Sequence, residues 1–152
     1  MKFARSIAAG MAAAGMVAGV ALAPQAVAAS TSGARMTAIY FDSPGSDGGS
    51  NASLNAEWVR IRNYTSSRRT LTGWTLRDAA SHIFRFPAFS LAAGATVRVH
   101  TGSGSNTASN LYWRSSRYIW NNTGDSASLR NAAGTLVDRC SYTSSAAPEA
   151  SC

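Results

Sequence analysis

From residue 36 onward the chain reads as an all-β domain. Apolar residues do not recur at helical spacing in that stretch, whereas short runs alternating between apolar and polar residues do, separated by clusters of Gly, Asn and Ser. Alternation puts successive side chains on opposite sides of a strand, so each strand has one face to bury and one face to wet. Sheets of that kind pack apolar face against apolar face, which predicts an antiparallel sandwich or a barrel.

The residues before that domain follow another pattern. Lys2 and Arg5 precede a run, residues 7–23, made almost wholly of Ala, Gly, Val, Met and Leu, and Pro24 and Gln25 then lead into Ala26-Val27-Ala28. A charged start, an apolar centre and a small-x-small end describe an export signal, with cleavage expected after Ala28. A transmembrane anchor fits less well, because the run is only 17 residues long, rich in Ala and Gly, and ends in a cleavage site. The expectation is therefore a signal peptide over residues 1–28, no membrane anchor after its removal, and a secreted or cell-surface protein. Residues 29–35 read as a flexible mature N-terminus.

Candidate strands follow in order at residues 36–41, 57–63, 73–77, 83–86, 96–101, 111–113, 126–130 and 135–141. In the second of these Val59 and Ile61 share one face, while Trp58, Arg60 and Arg62 share the other. Val97 and Val99 oppose Arg98 and His100 in the same way. Residues 78–81 and 131–134 have the length and composition of hairpin loops. Residues 42–55 and 102–110 are too rich in Gly and Ser to enter a core and are expected as surface loops.

Export would carry Cys140 and Cys152 into an oxidising compartment, where a disulfide between them pins the tail, residues 144–152, to the last strand. Pairing within one chain and pairing between two copies both fit the sequence. Eleven residues separate the two cysteines, which excludes a CxxC redox pair, and two cysteines do not make a cysteine zinc site.

The runs Glu57-Trp58-Val59-Arg60-Ile61-Arg62-Asn63 and Leu71-Thr72-Gly73-Trp74-Thr75-Leu76-Arg77-Asp78 resemble the opening strands of the lamin tail domain. Phe84-Arg85-Phe86-Pro87, the β-run 96–100, the loop Gly102-Ser103-Gly104, Leu111-Tyr112-Trp113, Trp120-Asn121-Asn122 and Gly134-Thr135-Leu136-Val137-Asp138 continue the resemblance in order and spacing. It covers residues 36–143. The loop beginning Asp42-Ser43-Pro44-Gly45 and the position of Cys140 look like the secreted bacterial branch of the family. The resemblance implies an immunoglobulin-like antiparallel β-sandwich and an interaction or scaffolding role toward protein, chromatin or DNA. No heptads occur, so the filament assembly of nuclear lamins does not carry over, and neither do catalytic residues.

The whole chain carries 14 Lys and Arg against 7 Asp and Glu. Cleavage after Ala28 would leave 124 residues whose twelve basic side chains are all arginine. Arginine suits bidentate contacts to phosphate and carboxylate, although a GC-rich genome produces the same bias. Arg60, Arg62, Arg68 and Arg69, with Trp58 and Tyr64 nearby, form the first candidate binding patch; Arg114 and Arg117 lie among a second group of aromatics. Cation plus ring is the vocabulary of anionic-polymer binding, by nucleic acid or an acidic wall polymer, and also of an ordinary solvated basic face.

Asp42 and Asp47 sit in one Gly-rich loop and Glu57 follows it. Hard oxygen ligands of that type suit Ca²⁺, yet the spacing is not that of an EF-hand, Asp, Asn, Ser and Gly also make plain turns, and Glu57 equally suits pairing with an arginine or accepting backbone hydrogen bonds. A small metal-dependent hydrolase or nuclease built on these three is the alternative function, and a purely structural surface protein is a third. No nucleophile elbow or dinucleotide fingerprint is present, and His82 and His100 fall beside a turn and at a strand end, where solvent-facing histidines are ordinary. The expectation is a monomeric, cofactor-free, non-enzymatic module.

Overall fold

A computed structural model describes residues 33–144 and 147–152; the expected export signal and the cleavage position expected after Ala28 lie outside the described residues. Among the described residues the strands are β1 (Ala34–Tyr40), β2 (Trp58–Asn63), β3 (Arg69–Thr70), β4 (Thr75–Arg77), β5 (Ile83–Arg85), β6 (Ser90–Leu91), β7 (Thr96–His100), β8 (Asn110–Tyr112), β9 (Gly124–Arg130), β10 (Leu136–Thr143) and β11 (Glu149–Ser151), with one short helix, α1 (Asn51–Ala56). All eight expected strands form, with ends within two residues of those read from the sequence. They build an immunoglobulin-like sandwich: a five-stranded sheet in the order β11-β1-β2-β7-β8 and a four-stranded sheet β10-β9-β4-β5, with the ribbon β3-β6 beside them.

The alternation decides what fills the space between the sheets. Val59, Ile61, Val97, Val99 and Leu111 come from the five-stranded sheet, and Leu76, Phe84, Ala127, Leu129 and Cys140 from the other. Trp74, Phe86 and Trp120 complete the core, each large side chain contributing about 1.5–3 kcal/mol by leaving water. Asn63 is one of the buried polar residues, with Glu57, Asp78 and Thr101 among the others. Fully buried at the end of β2, its Nδ2 donates to the carbonyls of Ser67, Leu91 and Ala92 while Oδ1 accepts from Thr65, which ties the turn after β2 to β6.

Four expectations need correction. The loop 42–55 contains α1, because Ser50 caps it by accepting from the Ser53 amide and Leu54 anchors it in the interior. Ala34 and Arg35 belong to β1 rather than to a flexible N-terminus, since they pair with Asn63 and Arg62. The sandwich is not wholly antiparallel: β8 runs parallel to β7. The segment between them docks on α1, where Asn51 and Asn55 both donate to the Ser103 carbonyl, so the chain returns beside β7 in the same direction. Gly102 permits that docking, as a Cβ there would lie 2.5 Å from Asn55 Oδ1.

The fourth concerns the tail, which is held by more than its disulfide. Residues Glu149, Ala150 and Ser151 pair antiparallel with Tyr40, Ile39 and Ala38, and β11 thereby covers the edge of β1. The Cys140–Cys152 bond is intrachain, with Cα atoms 5.4 Å apart. It links β10 in one sheet to the end of β11 in the other. Asp138 makes a second link, accepting from the Met36 amide at 2.9 Å and facing Arg35 Nη1 at 3.5 Å.

Candidate anion-binding face

The polar side of the five-stranded sheet carries the candidate site. Register aligns Tyr40, Trp58, His100 and Tyr112 in one row across four strands, and Ala38, Arg60, Arg98 and Asn110 in the next. Arg62 and Thr96 form a third pair. Tyr40 stacks on Trp58 and His100 on Tyr112, with ring centroids 5.5 Å and 5.1 Å apart. The guanidinium of Arg98 lies 4.8 Å from the Trp58 centroid and that of Arg60 lies 5.7 Å from it, while Arg62 stands 5.0 Å above Tyr64.

The three arginines border an open groove of about 470 Å³, lined by Arg60, Arg62, Arg98, Tyr64, Thr37 and Asn110 among others, with no acidic residue in its lining. A bulge in the β1–β2 ladder at Thr37 brings that hydroxyl to Arg60, whose Nε donates to Thr37 Oγ1 at 2.8 Å. One carboxylate touches the groove from its rim. Glu149 on β11 lies 3.8 Å from Arg60 Nη2, both side chains being more than a third exposed.

Of the predicted patch, Trp58, Arg60 and Arg62 are thus brought together, and Arg98 joins them. Arg68 and Arg69 stand elsewhere, at the β3-β6 ribbon, with Arg68 exposed and Arg69 half-buried beside Gly33. The alternation of the seventh strand already placed Arg98 opposite Val97 and Val99. What it did not reveal was that β7 pairs with β2, which is the step that sets Arg98 next to Arg60. Arg114 lies apart from this groove, donating to the Gly104 carbonyl.

The acidic trio separates. Asp42 and Asp47 remain exposed, and both accept from Asn122 Nδ2, at 3.2 Å and 3.3 Å. Glu57 instead turns inward and is 1% exposed, its Oε2 accepting from Thr101 Oγ1 at 2.8 Å and from the Ile119 amide at 3.1 Å. Burial pushes its pKa up from 4.5 to about 7, against the opposing pull of those hydrogen bonds. Among the described residues no three His, Cys, Asp or Glu side chains gather to hold a metal ion. Both histidines have structural partners: His82 Nδ1 meets buried Asp78 at 2.6 Å inside the β4–β5 hairpin, and His100 bridges the Asn55 carbonyl and Asn110.

The fold is thus an immunoglobulin-like β-sandwich that carries a cationic groove on the outer face of its five-stranded sheet. The profile of the lamin tail domain matches residues 28–144, and the chain belongs to that family. No curated protein matches the chain. Among the described residues no helix is long and apolar enough to cross a membrane.

Proposed function

We propose that the protein is a secreted, non-enzymatic interaction module that binds a phosphodiester polymer, either nucleic acid or an anionic wall polymer, on the outer face of its five-stranded sheet. The observation that carries this reading is the convergence of Arg60, Arg62 and Arg98 on one groove with Trp58 and Tyr64 beneath them and no acidic side chain in its lining. Three like charges placed side by side repel one another, and an anionic ligand relieves that cost while releasing its own counterions. Aromatic faces beside the cations offer stacking surface to bases or sugars. The disulfide fits an oxidising compartment, which supports secretion.

The test is titration of the purified protein with a single-stranded oligonucleotide and, separately, with a polyol-phosphate wall polymer, at several salt concentrations. Arg60→Gln with Arg98→Gln should weaken binding and flatten its dependence on salt by about two charges' worth of slope. Unchanged binding by that double variant removes the assignment of this face. The arm that binds identifies which source of phosphodiester the protein uses.

A further inference from the structure

The opposite outer face carries a second cationic groove. On the four-stranded sheet, Arg77 on β4, Ser128 on β9 and Arg139 on β10 lie in one register row, and Arg130 on β9 stands opposite Thr75 in the row beside it. With Ser126, these side chains border a groove of about 290 Å³. Arg77 and Arg139 are exposed and flank a serine two strands apart, a separation of roughly 10 Å by strand spacing. Asp78 is the acidic residue in the lining, but it is 3% exposed and both its oxygens are engaged by His82, through the backbone amide and Nδ1.

This groove differs from the first in one chemical respect. Its lining contains arginine, serine, alanine and the tied Asp78, and no aromatic ring. It therefore offers guanidinium forks and hydroxyl donors for charged oxygens but nothing on which a base or sugar ring would stack. Such a site recognises the charges along a polymer rather than its rings. The two grooves lie on the outer surfaces of two sheets packed face to face, so a strand seated in one does not occupy the other.

We propose that the protein is bivalent: the groove of Arg77, Arg130 and Arg139 is a second phosphodiester site, and the domain bridges two polymer strands, one on each face. This inference rests on the reading of the first groove and adds the second strand. Bridging raises the apparent affinity for a dense polymer above that of either face alone.

The experiment is a capture assay in which an immobilised single-stranded oligonucleotide takes up the protein and a second, fluorescent oligonucleotide is then added. The unaltered protein should retain the fluorescent strand. Arg77→Gln with Arg139→Gln should still be captured through the first groove, yet lose retention of the second strand by about tenfold or more at moderate salt. Arg77→Lys with Arg139→Lys, which keeps the charge, should retain most of it, and near-UV circular dichroism of each variant verifies the fold. Capture without any retained second strand by the unaltered protein overturns bivalency while leaving the first groove intact. Retention unaffected by Arg77→Gln and Arg139→Gln overturns the assignment of this groove. The same assay is run with immobilised and fluorescent polyol-phosphate polymer, and failure of the unaltered protein to be captured by either polymer removes both readings together.

Discussion

Arg98 holds its guanidinium over the indole of Trp58, 4.8 Å from the ring centroid, across neighbouring strands of one sheet. Arg60 approaches the same ring from its own strand at 5.7 Å. A planar cation near an aromatic ring loses side-chain freedom before a ligand arrives, so less ordering remains to be done on binding. Trp58 is thus a platform that sets the spacing of two charges.

Replacing that platform should be felt without any change in charge. Trp58→Ala is expected to weaken oligonucleotide binding about five- to tenfold while leaving the salt slope nearly unchanged, because the arginines remain. Arg98→Gln alone should instead lower the slope by about one. Titrations at three or more salt concentrations separate the two effects.

Glu149 is the acid at the rim of the same groove, and it competes with a ligand for Arg60. Glu149→Gln should tighten polymer binding by a few-fold at low salt, and the gain should shrink as salt rises. The pair is solvent-exposed, so thermal stability should move by less than about 1 kcal/mol. A loss of affinity in this variant would show that Glu149 positions Arg60 rather than opposing the ligand.

Glu57 predicts how stability varies with pH. Its carboxyl titrates near 4.5 when exposed and near 7 when buried in the folded protein, so between those values the folded state holds more protons than the unfolded one. Stability from this group is fully present below about pH 4.5 and is lost as pH rises through 7, a decline on the order of 3 kcal/mol. Glu57→Gln keeps an acceptor for Thr101 Oγ1 and the Ile119 amide without the charge. It should flatten denaturant-measured stability across that window and raise it at pH 8.

The disulfide predicts both a stability change and a local one. Cys140→Ser with Cys152→Ser should cost about 3 kcal/mol by chain-entropy reasoning for a loop of this length. Amide exchange should accelerate first at Ala150 and Cys152, whose strand then depends on its pairing with β1 alone. Equal acceleration throughout β1 and β2 would mean that the bond supports the whole sheet.

Much of the sandwich was legible because alternation is a local signal: Val59 and Ile61 against Arg60 and Arg62 fix two faces without knowledge of any partner strand. The pieces that escaped are short or depend on distant residues. The ribbon β3-β6 has two residues per strand and is organised by Asn63, whose amide reaches carbonyls 28 and 29 positions away. Helix α1 has one buried apolar residue, Leu54, too little for a periodic pattern. Trp58, Arg60 and Arg62 could be grouped from sequence because they share one face of a strand. Arg98 was not joined to them because strand pairing is non-local, and the partners of Glu57 were not legible because Thr101 and Ile119, which donate to it, lie 44 and 62 positions away.

The strand β1 lies between β2 and β11 in the finished sheet, although among the described residues it comes first of the strands and β11 last. Until β11 has paired, β1 therefore has a neighbour on one side only, and its free edge is open to any other extended chain. Closure of the Cys140–Cys152 bond then marks completion of the domain. Protein in which that bond is reduced keeps the edge covered by strand pairing alone, so it should associate with other copies more readily than the oxidised form.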